Sequence, residues 1–118
     1  MTAVPTEHQE QVALFEWAAH YRPLDVMYAI PNGGKRAIQT AAMLKAEGVK
    51  PGVPDICLPV PRGHYHGLYI ELKRRRGGKV TREQQAWIEA LMHQGYACAV
   101  YHGWDAARDV IIDYMRTI

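Results

Sequence analysis

Val53-Pro54-Asp55-Ile56 and Tyr69-Ile70-Glu71-Leu72-Lys73 are apolar, strand-like segments, each carrying charge where a buried strand normally rejects it. Between them, Pro61-Arg62-Gly63-His64-Tyr65-His66-Gly67 supplies the prolines and glycines that end one strand and start another. This predicts an antiparallel hairpin. Residues opposite one another in a hairpin have numbers that sum to roughly a constant, and Gly63, inside the turn, is the midpoint of Asp55 and Glu71. The two carboxylates should therefore approach each other. Side chains alternate along a strand, so Glu71 and Lys73 share one face while Ile70 and Leu72 pack on the other. Asp55, Glu71 and Lys73 then converge at one spot.

Two carboxylates brought together repel, and each takes up a proton unless a cation sits between them. Oxygen-only ligation suits a hard ion such as magnesium or manganese, which keeps several waters and leaves room for a phosphate oxygen. Lys73 beside such an ion would hold or deprotonate an attacking water. Lewis acid, oriented nucleophile and charge neutralisation together are the apparatus for hydrolysing a phosphodiester.

Pro54-Asp55 followed by Glu71-Leu72-Lys73 resembles the PD-(D/E)xK nuclease motif. Three longer words narrow the resemblance: Pro31-Asn32-Gly33-Gly34-Lys35-Arg36, Gly48-Val49-Lys50-Pro51-Gly52-Val53-Pro54-Asp55, and Gly67-Leu68-Tyr69-Ile70-Glu71-Leu72-Lys73. In this order they resemble the stand-alone VRR-NUC domains of phages and prophages, from about Thr6 to the C-terminus. The resemblance implies a restriction-endonuclease-like α/β core. It also implies a metal held by Asp55, Glu71 and the Leu72 carbonyl, with a first-helix glutamate and a helical glutamine nearby. Holliday-junction-resolvase-like cleavage of branched DNA is the activity implied.

The 118 residues suffice for one domain with one core. No stretch approaches the length of a membrane span, and Met1 to Pro5 lack the basic start and apolar run of a secretory signal, so a cytoplasmic protein is expected. Cys57 and Cys98 have neither zinc-site spacing nor disulfide-scaffold density and read as reduced, buried thiols. The net charge of +2 does not establish nucleic-acid binding, but Lys73, Arg74, Arg75, Arg76, Lys79 and Arg82 cluster directly after the catalytic strand.

Thr6-Glu7-His8-Gln9 fits a capping box opening a helix from about Glu7 to His20. Its periodicity puts Glu7 with Gln11, Leu14, Phe15 and Ala18 on the buried face, with Glu10 at the edge near Trp17. Either Glu7 is a third carboxylate of the active centre, or it is a solvated first-turn acid favoured by the helix dipole. Glu10 is its competitor. Val26 to Ile30 reads as a short strand ended by Pro31. Asn32, Lys35 and Arg36 then combine permissive backbone with two cations at the start of a helix from Ala37 to Glu47, which suits a phosphate. An ordinary glycine turn with solvated cations is the alternative there.

His64 and His66 occupy the hairpin tip and read as solvated. Thr81-Arg82-Glu83-Gln84 is a second capping box, opening a helix to about Gln94 with Gly95 as its stop. Gln84 aligns with that helix's apolar stripe of Trp87, Ile88 and Leu91, while Gln85 lies to one side. Gln85 is taken as the active-centre glutamine, with Gln84 left open by the uncertain register. Tyr96 to Tyr101 should form the last strand, and Asp105 to Met115 the closing helix.

The expectation is a central mixed sheet flanked by helices, acting as a magnesium- or manganese-dependent DNA endonuclease. Asp55, Glu71, Leu72 and Glu7 serve the metal, and Lys73 the water. Asn32, Lys35, Arg36, Arg74, Arg75 and Arg76 bind DNA phosphates. A homodimer is expected because Trp17, Trp104, Tyr21, Tyr65 and Tyr101 exceed what one small core can hide. The rival reading is a non-catalytic nucleic-acid-binding module on the same scaffold, against which the intact Asp55, Glu71 and Lys73 argue.

Overall fold

The computed structural model describes residues 3–31 and 38–118. Thr6 caps helix α1 (Glu7–Ala18) through the expected reciprocal box with Gln9. A 3-10 turn at Leu24–Val26 leads into the two-residue strand β1 (Tyr28–Ala29). Helix α2 (Ile38–Ala46) precedes β2 (Ile56–Leu58), which runs into β3 (Leu68–Lys73) through the hairpin. Helix α3 (Arg82–His93), β4 (Ala97–His102) and α4 (Trp104–Met115) complete the chain.

The sheet order is β1-β2-β3-β4, antiparallel for the first two pairs and parallel between β3 and β4. A parallel neighbour needs a crossover, which α3 provides. This is the mixed α/β architecture expected from the sequence. Ile56 pairs with Ile70 and Leu58 with Leu68, a register centred on Gly63.

That register separates the two faces. Ile56, Leu58, Leu68, Ile70 and Leu72 point to the face covered by Leu14 and Ala18 of α1 and Ala107, Ile111 and Tyr114 of α4, and all are buried. Burial of these aliphatic side chains is the main stabilising term. Opposed residues on neighbouring strands share a face, so Cys57, Tyr69 and Cys98 look the other way, toward α3, where Cys98 Sγ meets the Ile88 carbonyl at 3.7 Å. Both thiols are free, Cys57 buried and Cys98 half-buried.

The inward stripe of α1 differs from the periodicity reading. Glu10, Leu14 and Ala18, spaced four apart, are its buried residues, and Glu7 is exposed. Glu10 tolerates burial because cationic and backbone partners meet it. Arg75 Nε lies 2.9 Å from Glu10 Oε2, and the Trp104 N–H at the start of α4 donates to Oε1 at 3.2 Å. Arg75 also lies 2.9 Å from Asp105 Oδ1, so one guanidinium ties α1, the end of β3 and α4 together.

The Tyr114 hydroxyl donates to the Val60 carbonyl at 2.6 Å inside the core, joining α4 to the end of β2. Tyr114→Phe leaves that carbonyl without its partner and should cost about 1–3 kcal/mol, measured by chemical denaturation.

Candidate active site

The hairpin register carries past the end of β2 to set Asp55 opposite Glu71. The Asp55 carbonyl accepts the Ile30 N–H at 2.7 Å, so its backbone is still held by the neighbouring strand. Its side-chain Oδ2 accepts the Leu72 N–H at 3.0 Å, which fixes the carboxylate against β3. Glu71 is only 2% exposed, and its Oε1 is buried without a hydrogen-bond partner. Its Oε2 lies 3.6 Å from Lys73 Nζ. Burial, then the neighbouring Asp55, pushes the Glu71 carboxyl up to about 8, with Lys73 opposing the shift.

Lys73 is itself buried, and its Nζ donates to Gln84 Oε1 at 3.0 Å. The same Gln84 oxygen accepts the Thr81 N–H at 2.9 Å, closing the capping box of α3. One glutamine thus both starts a helix and holds the lysine. Two glycines let the backbone approach this group. A Cβ on Gly52, which has a φ of +91°, would lie 2.6–2.8 Å from Glu83 atoms, and one on Gly78 would meet Lys73 Cβ at 3.0 Å.

These residues line a polar cleft of about 280 Å³. Asp55, Glu71, Leu72, Lys73 and Gln84 form its floor and one side, and Glu7, His8 and Gln11 of α1 form the other. Glu7, rather than Glu10, is therefore the first-helix acid at the cleft, although exposed rather than buried. Gln84, rather than Gln85, is the glutamine there. Gln85 is exposed and donates along the helix to Glu89 Oε1 at 3.4 Å. His8 was missed in the sequence, where nothing but its place beside Glu7 marks it. Gln11 was legible as sharing the helix face of Glu7.

The donor set fits a hard cation. An orphaned carboxylate oxygen beside a second carboxylate is a site short of positive charge, and all the donors are oxygen. Among the described residues no three His, Cys, Asp or Glu side chains converge to hold a metal. The residues placed to hold such an ion are Asp55 and Glu71, with the Leu72 carbonyl beside them and Glu7 on the opposite wall of the cleft.

The basic run after β3 divides by role. Arg74 is exposed and reaches the Pro5 and Val4 carbonyls at 3.4 and 3.5 Å. Arg75 is engaged by Glu10 and Asp105. Arg76 is exposed. Asn32, Lys35 and Arg36 lie outside the described residues.

A carboxyl raised from 4.5 to about 8 on folding binds more protons in the folded than in the unfolded state between those pH values. Stability of the metal-free chain should therefore fall as pH rises from about 4.5 to about 8, because the folded state must give up that proton. Glu71→Gln should flatten this part of the profile in denaturation measured across pH.

A model of the VRR-NUC domain matches residues 5–105. Among solved structures, one described as a VRR_NUC domain protein is 31% identical, superimposes with a TM-score of 0.85, and covers 97% of this chain and 91% of its own. No curated protein matches. Among the described residues, no helix is long and apolar enough to cross a membrane. With the domain model spanning most of the chain and the same fold in a protein of that description, the chain belongs to the VRR-NUC domain family, a nuclease-type family.

Proposed function

We propose that this chain is a magnesium- or manganese-dependent endodeoxyribonuclease that cuts branched DNA, in the manner of a Holliday-junction resolvase, as a homodimer with one active site for each strand. The observation that carries the proposal is the meeting of Asp55 and Glu71 across the hairpin, with Glu71 Oε1 buried and unpartnered and Lys73 3.6 Å away. Glu10 Oε2 and Asp105 Oδ1, buried likewise without a hydrogen bond, each lie 2.9 Å from the Arg75 guanidinium, whereas Glu71 pairs with a cation only through its other oxygen, Oε2. This site leaves one oxygen for something not in the chain.

Asp55, Glu71 and the Leu72 carbonyl would hold the divalent ion, which when bound would supply charge neutralisation and lower the pKa of a water beside it. The chain's own residues do the rest. Asp55, anchored by the Leu72 N–H, keeps a fixed orientation, so the donor set is preorganised. Lys73, restrained between Gln84 and Glu71, has a remaining ammonium proton to direct at the attacking water or at the phosphate. Glu7 at the exposed rim reaches the site through water and accepts protons released there. Arg74 and Arg76, exposed beyond the end of β3, meet the DNA backbone together with Asn32, Lys35 and Arg36.

Two observations favour the dimer. Of the five aromatics expected to exceed the core, Trp17, Tyr101 and Trp104 pack partly buried against it, while Tyr21 and Tyr65 stay 52% and 45% exposed. An apolar groove of about 360 Å³ lies between the C-terminal ends of α1 and α4, lined by Trp17, Tyr21, Leu24, Ile111 and Met115 among others. One chain offers one catalytic cleft, and cutting both strands of a junction together requires two.

Asp55→Ala and Glu71→Ala should each lower the cleavage rate by about 100-fold or more on a panel of branched and linear DNA with magnesium, while DNA binding persists. Either folded variant cutting at the wild-type rate would remove the proposed centre. Sedimentation should give the mass of two chains. A monomer that still cuts a four-way junction symmetrically in both strands would refute the dimer mechanism.

A further inference from the structure

Tyr28 of β1 pairs with Cys57, and Cys57 pairs in turn with Tyr69. Directly opposed residues share a sheet face, so these three form one row across the sheet. Asp55, just before β2, and Glu71 of β3 lie two residues from Cys57 and Tyr69, which by strand alternation puts them on the same face. Two residues of extended chain span about 7 Å. The aromatic row is thus the next row to the catalytic carboxylates.

The row is braced on one side and open on the other. The Tyr69 ring stands edge-on to Tyr96 at 5.2 Å, and Tyr96 stands edge-on to His66 at 5.7 Å. Buried Cys57 is small enough for the flanking tyrosines to approach over it. Tyr28, at the sheet edge, is 49% exposed. An aromatic side chain half in water on a two-residue edge strand contributes little to the core, whose buried residues lie on the opposite face. Apolar packing does not account for its place.

The geometry points to Tyr28 as a stacking platform for an unpaired nucleobase of the DNA, one nucleotide from the phosphate held at Asp55 and Glu71. This deepens the nuclease reading and rests on it. Stacking suits the position because every base has a π-face, so contact is made without reading sequence. Stacking also constrains the substrate. A base inside a continuous duplex has both faces covered by its neighbours, so only a nucleotide that has left the stack, or a terminal one, has a face to offer Tyr28. Strands at junctions, flaps and ends have such nucleotides, and a continuous duplex does not.

The test uses the full chain with calcium in place of magnesium and a single-stranded oligonucleotide carrying 5-iodouracil at successive positions, with the matching duplex as control. Photo-crosslinking should map to Tyr28 in the single strand and not in the duplex. Tyr28→Leu, which keeps apolar bulk but removes the ring, should weaken single-strand binding by about tenfold and duplex binding by less than about twofold. Tyr28→Phe should bind as wild type. Equal loss on both substrates, no loss with leucine, or crosslinks confined to other residues would each overturn the inference. Failure of the wild type to cut any DNA with magnesium or manganese would instead overturn the nuclease reading, since the crosslinking and binding results do not depend on cleavage.

Discussion

The hairpin forces two carboxylates to the same end of a buried sheet, and most of what surrounds them offsets or exploits their repulsion. Sheet pairing alone sets Asp55 opposite Glu71, because slipping the register by one residue would turn Ile56, Leu58, Ile70 and Leu72 out of the core. The apolar face therefore enforces the polar one. Hydrophobic burial on the α1/α4 side is large enough to hold an arrangement that the other side, taken alone, would not adopt. Burial and the neighbouring acid together account for the raised Glu71 carboxyl.

A second buried carboxylate shows what a purely structural solution looks like. Glu10 is as deeply buried as Glu71, at 1% against 2% exposed. Each has one oxygen without a hydrogen bond, but Glu10 Oε2 lies 2.9 Å from the Arg75 guanidinium and its Oε1 accepts the N-terminal N–H of α4, while Glu71 meets one lysine, at 3.6 Å and through Oε2 alone. The contrast is one of partners: Glu10 fastens three elements, and Glu71 is left short of positive charge, which supports its proposed place in the metal site. It also redistributes the basic run, since Arg75 belongs to the fastening.

How much of this could be read from sequence depends on the range of the interaction. The capping boxes of α1 and α3 and the hairpin register are local, and residues within one or two turns of chain specify them. The partnership of Glu10, Arg75 and Asp105 joins three distant segments, and nothing in the local pattern of any one announces it. The burial of Glu10 in place of Glu7 escapes the helix periodicity for the same reason. Both lie on one side of α1, and the Arg75 guanidinium and the Trp104 N–H, both distant in sequence, decide which of them turns inward. The choice between Gln84 and Gln85 is different, because its signal was present: a capping-box glutamine folds back toward the helix start, which is where it meets Lys73 at the end of β3.

That last placement makes the lysine depend on the helix. Gln84 Oε1 accepts from Thr81 N–H and from Lys73 Nζ, so the bonds that begin α3 also position the ammonium. Gly78 lies against the aliphatic stem of Lys73, and Gly52, just before the Asp55 segment, lies against Glu83 in the first turn of α3. The loop leading to one carboxylate, the helix start and the lysine beside the other carboxylate are therefore packed as one body. A side chain added at Gly52 would push the helix start away from the loop, and the displacement would reach Lys73 through Gln84 without touching either carboxylate. Precision at the cleft is thus set by backbone contacts that carry no catalytic group themselves, which is how a short chain can hold a lysine and two acids in fixed relation.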